Sequence, residues 1–230
     1  MRRAGAAPMR RLTGAAFVSL DGVMQAPGGP TEDPTGGFAS GGWVFGHADP
    51  VIDTVLGELF TPPYDLLLGR RTYDIFAAYW PYAEGEEGGM GKALTAAAKH
   101  VVTHRDAPLA WENSHRLPDI DAVAALKASD GPDLLIQGSS TLYPPLLAAG
   151  LIDRLILMTY PVVLGRGKRL LGDGTVPGAL RLIDHQVGEH GVVVTRYEPA
   201  GAVRTGTPPD MPEPSAREQE RQQAMREGSW

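Results

Sequence analysis

Short apolar segments alternate with longer amphipathic segments along most of this chain of 230 residues. The apolar segments have the length of buried strands, and two of them stop at a glycine just before the next amphipathic segment. Such alternation is typical of a parallel sheet covered by helices. Strands are predicted at residues 15–20, 64–68, 100–103, 133–137 and 154–163. Helices are predicted at residues 50–60, 70–80, 91–99, 121–128 and 140–149.

The last strand-like segments differ from this pattern. Residues 180–187 and 192–197 are joined by a short turn that contains Gly191, which indicates a β-hairpin and therefore antiparallel pairing. We therefore predict an α/β fold of three α-β-α layers, with a mixed, mainly parallel central sheet that ends in an antiparallel hairpin.

Composition divides the chain into three parts. Residues 1–11 carry four arginines and are predicted to be a flexible leader. Residues 12–199 contain the alternating pattern and are predicted to be one folded domain. Residues 200–230 begin with Gly, Pro and Thr and continue as a polar segment without an apolar stripe, which predicts a linker and a polar helical tail.

Several classes of function are disfavoured by composition. The absence of cysteine excludes disulfides, thiolate metal sites and cysteine nucleophiles. A net charge of −6 argues against a nucleic-acid partner. No segment approaches the roughly 18 apolar residues of a membrane span, so we expect no membrane association and a cytoplasmic location. The six histidines are scattered, and no metal site is predicted.

Three strand ends carry residues suited to binding anions. The segment Gly69-Arg70-Arg71-Thr72 places two arginines at a helix N-terminus, where basic residues oppose the helix dipole unless a bound anion is present. Two solvated surface arginines would give the same sequence.

The two other strand ends carry weaker signals. Small residues link a buried strand to a helix in the segment Gly138-Ser139-Ser140-Thr141-Leu142, which would let the backbone approach a pyrophosphate. A tight turn with a helix cap is the alternative. Thr103, His104 and Arg105 follow another strand and would suit a ribose phosphate or an adenine ring. Taken alone, this segment is better explained as an ordinary polar strand end.

Together these segments resemble the dihydrofolate reductase-like superfamily, and more closely its branch with the reductase domain of riboflavin biosynthesis (the RibD C-terminal domain). The resemblance covers nearly all of residues 12–199. The matching segments are Ser19–Gly22, Leu68–Tyr73, Val101–Thr103, Gly138–Leu142 and Tyr160–Gly165.

This resemblance implies an oxidoreductase that uses NADPH/NADP as its cofactor. Gly69, Arg70, Arg71 and Thr72 would grip cofactor phosphates, as would residues 138–142. Residues 103–105 would lie near the 2′-phosphate and adenine. Ser139 stands where dihydrofolate reductases commonly have a second glycine, which alters how closely the backbone meets the pyrophosphate.

On the substrate side, two carboxylates are candidates for assisting proton transfer. Asp21 follows the first strand, and the alternative is a turn-forming residue before Gly22. Asp53 lies in the first helix, and the alternative is a solvated acid favoured by the helix dipole. The long segment 24–47 is expected to be a lid, with Gly22, Met24 and Trp43 at the substrate; Trp43 filling the core is the alternative.

We therefore expect an NADPH-dependent reductase of a small heterocyclic (pterin- or pyrimidine-like) or carbonyl or imine compound. A non-catalytic NADP-binding protein and a protein whose tail binds a partner are the competing hypotheses. A homodimer is also expected, because the family often dimerises and the apolar segment Leu155–Val163 is long enough to pack across subunits. A buried central strand would have the same sequence.

Overall fold

The computed structural model describes residues 9–61, 63–172 and 174–229. The strands are β1 (Leu12–Ser19), β2 (Tyr64–Gly69), β3 (Lys99–Val102), β4 (Ser114–Leu117), β5 (Asp133–Gln137), β6 (Arg154–Tyr160), β7 (Leu180–Val187) and β8 (Val193–Pro199). The α-helices are α1 (Pro50–Leu59), α2 (Arg70–Tyr79), α3 (Gly88–Ala96), α4 (Ile120–Lys127), α5 (Tyr143–Ala148) and α6 (Ala216–Glu227).

The eight strands form one sheet in the order β4-β3-β2-β5-β1-β6-β8-β7. The strands from β4 to β6 are mutually parallel, whereas β8 runs antiparallel to both β6 and β7. The predicted mixed sheet with a closing hairpin is therefore confirmed. Because parallel neighbours need a crossover, the helices lie between the strands in sequence and over the sheet in space.

Each face of the sheet has its own hydrophobic core. On one face, Ile52 and Val55 of α1 and Leu94 of α3 pack with strand residues such as Leu66 and Val101. On the other face, Val123 of α4 and two residues of α5 pack with strand residues such as Leu67 and Ile136; the α5 residues are Tyr143 and Leu146. The two cores confirm the predicted three layers.

The start of α1 is set by its capping residue. The Asp49 carboxylate accepts a hydrogen bond from the Val51 N–H, and Pro50 occupies the first helical position, as the sequence predicts. The same carboxylate accepts the His190 N–H at 2.8 Å. Asp49 therefore also ties α1 to the turn between β7 and β8.

Prolines account for two differences between the predicted and observed elements. Helix α5 begins at Tyr143 rather than Ser140, so that Pro144 and Pro145 lie in its first turn, where the missing N–H groups are not needed. Strand β6 ends at Tyr160, because Pro161 cannot donate to a strand neighbour. The predicted strand to Val163 is too long.

Strand β4 and Lys99 were not predicted correctly. The β4 sequence, Ser-His-Arg-Leu, lacks an apolar pattern because the strand lies at the sheet edge. The helix predicted to reach Lys99 ends at Ala96, and Lys99 opens β3 with no exposed surface. Its ammonium group donates to the carbonyls of Leu94 (3.2 Å) and Thr95 (2.6 Å), which caps the C-terminus of α3. Burial lowers the pKa of Lys99 to about 8.

The predicted polar tail contains α6, which begins after the capping residue Ser215 and is followed by Gly228 in the left-handed region. None of its residues is buried. Residues 1–8 of the predicted leader lie outside the described residues. Within the described ranges, every helix is too short or too polar to cross a bilayer.

Candidate functional site

The predicted site residues lie at the carboxyl ends of parallel strands. Gly69 closes β2, Thr103 follows β3, Gly138 follows β5, and Asp21 lies two residues beyond β1. Because β1, β2, β3 and β5 are parallel, all four positions lie at the same edge of the sheet. This is the edge at which open α/β sheets bind ligands.

Ser139 connects two strand-to-helix junctions, which we call the β2–α2 corner (residues 69–72) and the β5–α5 corner (residues 138–142). Its hydroxyl oxygen accepts a hydrogen bond from the buried Gly69 N–H at 2.7 Å. Gly138 and Ser139 both have positive φ angles, of +84° and +66°. A Cβ atom at Gly138 would lie 3.1 Å from the Thr72 methyl carbon. The backbone therefore approaches Thr72 closely, and two segments far apart in sequence form one surface.

The two arginines of the β2–α2 corner have different surroundings. The Arg70 guanidinium donates to the Asp74 carboxylate at 2.8 Å and to the Ala107 carbonyl at 2.9 Å. Arg71 is exposed. Among the residues that the structure describes, no side chain caps the α2 N-terminus. The Arg70 side chain therefore binds the loop after β3. Arg71 is exposed to solvent at the N-terminus of α2.

The segment after β3 is built on Thr103. This residue is 6% exposed, and its hydroxyl oxygen accepts the Arg105 N–H at 3.1 Å. His104 and Arg105 are exposed. The buried threonine therefore shapes a turn that presents both basic side chains to solvent.

The other residues of the β5–α5 corner lie at different depths. Thr141 is exposed and Ser140 is half-buried, whereas Leu142 packs in the core beneath the corner. The Leu142 N–H donates to the Ser139 carbonyl at 2.8 Å, which closes the turn.

Gln137 was missed by the sequence reasoning. It is the last residue of β5, is 8% exposed, and has a buried Oε1 atom without a hydrogen-bond partner among the described residues. Unpaired buried polar atoms are rare in proteins, and a bound ligand or ion is one explanation for them. A polar side chain at the end of an otherwise apolar strand, directly before Gly138, was the signal available in the sequence.

Asp21 is surrounded by donors. Its carboxylate accepts from the Ser19 hydroxyl at 2.6 Å and from the N–H groups of Leu164 (3.0 Å) and Gly165 (2.9 Å), and it pairs with Arg169 at 3.4 Å. The Ser19 hydrogen bond, followed by that from the Leu164 backbone, lowers the pKa of Asp21 to about 2. Asp21 is therefore an anion at neutral pH and joins the end of β1 to the segment after β6.

Asp53 lies on the exposed side of α1. Burial, followed by the negative charges of Asp49 and then Asp53, raises the pKa of Tyr160 to about 12. Tyr160 is the last residue of β6, so Asp53 also lies near the carboxyl edge of the sheet. Both aspartates thus lie near the carboxyl edge of the sheet, Asp21 in the turn after β1 and Asp53 in α1.

The three residues expected at the substrate are not brought together. Trp43 is buried in the core beneath α1, where its ring meets Tyr160 edge-on at 5.3 Å and its N–H donates to the Gln25 carbonyl. Met24 is buried in the core of the other face. Gly22 forms the turn after β1, with a φ of +79°.

The segment expected to be a lid is fastened to the segment after β6. Lys168 pairs with the Asp33 carboxylate and donates to the Thr35 hydroxyl at 2.8 Å. The Lys168 N–H donates to the Gln25 side chain at 3.0 Å. Between these two segments lies a cleft of about 250 Å³, lined in part by Phe38. Lys168 and Arg169, which follow β6, thus pair with carboxylates of neighbouring loops, Asp33 and Asp21.

Across the described residues, no group of three or more His, Asp or Glu side chains is arranged to hold a metal ion.

Comparison with known proteins gives relatives of the same fold. The chain is 25% identical over 186 residues to the uncharacterized protein YyaP of Bacillus subtilis (strain 168), a match that covers 78% of this chain and 90% of YyaP. A crystal structure of a protein provisionally assigned to riboflavin biosynthesis in Shewanella sp. PV-4 superposes with a TM-score of 0.61 at 19% identity, over 83% of this chain and 99% of the other.

Two further solved structures share the fold. A pyrimidine reductase-like protein from Corynebacterium diphtheriae has a TM-score of 0.55 at 15% identity, over 85% of this chain and 93% of the other. Dihydrofolate reductase from Enterococcus faecalis, solved with NADP(H) and RAB-propyl, has a TM-score of 0.50 at 13% identity, over 82% and 96%. The profile of the RibD C-terminal domain matches residues 10–194. The chain therefore belongs to the RibD C-terminal domain family, and it shares its fold with dihydrofolate reductase.

Proposed function

We propose that this protein is an NADPH-dependent reductase that transfers hydride to a small heterocyclic compound, pterin- or pyrimidine-like, or to a carbonyl or imine. The observation that carries the proposal is the joining of the β2–α2 and β5–α5 corners by the Ser139–Gly69 hydrogen bond. Two glycine-containing helix starts thereby share one surface at the ligand-binding edge of the sheet. Membership of a family of NADPH-dependent reductases supports it.

The residues of this edge fit a dinucleotide phosphate. At Gly138 the backbone of the β5–α5 corner packs closely on Thr72, and the start of α2, which no described side chain caps, offers N–H groups to an anion. Arg71 and Thr72 would hold phosphate oxygens there. His104 and Arg105 would lie toward the 2′-phosphate and adenine. When bound, the nicotinamide ring would supply the hydride.

Gln137 and Asp21 would serve the reacting end of the site. The unpaired amide oxygen of Gln137 is suited to accept a hydrogen bond from a ligand at the end of β5. The anionic Asp21 would fix the segment after β6 against β1 and would not itself supply a proton at neutral pH, because its pKa lies near 2. Asp21 is thus proposed as a positioning residue.

The proposal is tested by titrating the full-length protein with NADPH and NADH, followed by fluorescence. We expect NADPH to bind more tightly than NADH. Arg71→Ala should weaken NADPH binding about tenfold and reduce its salt dependence, because it removes one charge-assisted phosphate contact. Arg181→Ala removes another exposed arginine, which pairs with Glu198 far from this edge, and is the control.

The outcomes separate the competing hypotheses. If neither nucleotide binds, the reductase proposal is wrong. If NADPH binds but is not oxidised in the presence of any pterin, pyrimidine, carbonyl or imine compound in a screen, the protein is a non-catalytic NADP-binding protein. NADPH oxidation with one compound class would identify the substrate.

A further inference from the structure

The segment between β3 and β4, residues 103–113, joins two parallel strands and therefore crosses from the carboxyl edge of the sheet back to its amino edge. Such a crossover is usually a helix, whose own backbone hydrogen bonds fix its course. This one, which we call the β3–β4 crossover, is irregular. It begins with Thr103, His104 and Arg105, so side chains of neighbouring elements have to determine where the two basic residues lie.

Trp111 fastens the far end of the β3–β4 crossover to two helices. Its side chain is 5% exposed and lies in the core on the α1 side of the sheet. Its backbone N–H donates to the Tyr73 hydroxyl of α2 at 2.9 Å, and its indole N–H donates to the Thr95 hydroxyl of α3 at 3.1 Å. Side chains thus satisfy both N–H groups of this buried residue and hold the end of the crossover between α2 and α3.

Lys99 lies against the indole ring of Trp111. Its ammonium nitrogen is 4.3 Å from the ring centroid, and it donates to the carbonyls of Leu94 and Thr95 at the C-terminus of α3. A cation–π contact is strongest where the cation is desolvated, as it is here. An apolar side chain would fill the same space without the cost of burying a charge. What the charge adds is attraction for the ring of Trp111, which holds the indole in one position.

A second set of contacts holds the β3–β4 crossover close to its basic residues. The Arg70 guanidinium donates to the carbonyl of Ala107, two residues after Arg105, at 2.9 Å. The same guanidinium lies 5.9 Å from the centroid of the Tyr73 ring, and that ring is 6.3 Å from the ring of Trp111. A continuous series of contacts therefore runs from the start of β3 to the basic residues, through the side chains of Lys99, Trp111, Tyr73 and Arg70.

We propose that Lys99 is a positioning residue for cofactor selection: through Trp111 it fixes the course of the β3–β4 crossover, so that the two basic residues are held toward the 2′-phosphate of NADPH. This inference rests on the proposed function, in which the cofactor lies along the carboxyl edge. Lys99 is at the opposite end of β3 from that edge, so it acts only through the crossover. Because the 2′-phosphate is the difference between NADPH and NADH, the effect of Lys99 should appear in the ratio of the two affinities.

The test is the ratio of the dissociation constants for NADH and NADPH, measured by fluorescence titration of the full-length protein. Lys99→Met removes the charge and keeps an unbranched side chain, and the ratio should fall about tenfold, the effect of displacing one charge-assisted phosphate contact. Tyr73→Phe removes only the hydroxyl that accepts the Trp111 N–H and should lower the ratio in the same direction. Lys127→Met is the matched control, because Lys127 is a buried lysine of α4 that pairs with Asp153, and it should leave the ratio unchanged.

A double-mutant cycle separates positioning from a general loosening of the fold. The background is a protein that carries His104→Ala and Arg105→Ala and therefore lacks the groups that Lys99 positions. In that background Lys99→Met should leave the ratio unchanged. A general loosening would weaken the binding of both nucleotides alike, and the ratio would then be unchanged with the wild-type crossover as well.

Circular dichroism establishes that each variant is folded, and Tyr73→Phe takes the place of Lys99→Met in the cycle if the latter is not. A fall in the ratio that is absent in the His104→Ala, Arg105→Ala background supports the inference. An unchanged ratio in both variants, or an equal fall in that background, overturns it. Wild-type protein that binds both nucleotides equally overturns this inference and leaves hydride transfer from a nicotinamide cofactor in place, whereas wild-type protein that binds neither overturns the proposed function as well.

Discussion

Ser139 contributes to stability through two opposed effects that two substitutions separate. Its hydroxyl accepts the Gly69 N–H at 2.7 Å, which satisfies a buried donor. Its φ of +66° places a residue with a Cβ atom in the left-handed region. Ser139→Ala removes the acceptor and keeps the Cβ, so the unsatisfied Gly69 N–H should lower the free energy of unfolding by about 1–3 kcal/mol.

Ser139→Gly loses the same hydrogen bond but also removes the Cβ. A non-glycine residue in the left-handed region costs about 1–2 kcal/mol of folding free energy. Glycine avoids this cost, but it loses more backbone entropy on folding, which offsets part of the gain. We therefore expect Ser139→Gly to be about 1 kcal/mol more stable than Ser139→Ala. Both variants should bind NADPH more weakly than the wild type, because the two corners lose their connection.

Urea unfolding at 25 °C measures these differences, provided that the slope m is unchanged. The control is Ser140→Ala, since the neighbouring half-buried hydroxyl has no hydrogen-bond partner among the described residues and its removal should change the free energy by less than about 0.5 kcal/mol. Equal stability of Ser139→Ala and Ser140→Ala would refute the role of the hydrogen bond. Equal stability of Ser139→Ala and Ser139→Gly would refute the backbone strain.

Three further substitutions test other parts of the site and core. Gln137→Met removes an unpaired buried amide oxygen and should raise the free energy of unfolding by about 1 kcal/mol while it weakens NADPH binding. Urea unfolding and fluorescence titration measure the two effects, and a variant of lower stability would contradict the prediction. Asp21 has a pKa lowered to about 2, so its stabilisation is present above about pH 4 and is lost as the pH falls toward 2. Asp21→Asn should be less stable at pH 7 by about 1–2 kcal/mol and lack this acid dependence in urea unfolding at a series of pH values. Lys99 loses its proton near pH 8 when folded and near pH 10.5 when unfolded, so wild-type stability should rise across that window by up to about 1.4 kcal/mol per pH unit. Lys99→Met should abolish that rise; a rise that persists would contradict the assignment.

The sheet and its ligand-binding edge could be predicted because their signals are local. A buried strand that stops at Gly69 or Gly138 and leads into a helix identifies a carboxyl end, and parallel pairing places all such ends together. The closing hairpin is likewise indicated by a short turn at Gly191.

The remaining features depend on contacts between distant segments. The Ser139–Gly69 hydrogen bond requires the register of β2 beside β5, which no local pattern contains. The sequence around Asp21 would be the same whether its carboxylate binds a substrate or, as observed, a backbone N–H group of the segment after β6. The sequence pattern predicts that Lys99 is a solvated helix residue. Its burial depends on carbonyl groups at the end of α3, which come within reach only in the folded structure.

The position of β1 in the middle of the sheet has a consequence for synthesis of the protein. Strand β1 leaves the ribosome well before β5 and β6, the two strands with which it pairs. β1 ends at Ser19 and β5 begins at Asp133, so at about 5–20 residues per second this delay is roughly 6–23 s. During that time an apolar strand has none of its partners, and loop-closure entropy slows its eventual pairing. Among the described strands, nascent β1 therefore waits longest for the strands with which it pairs.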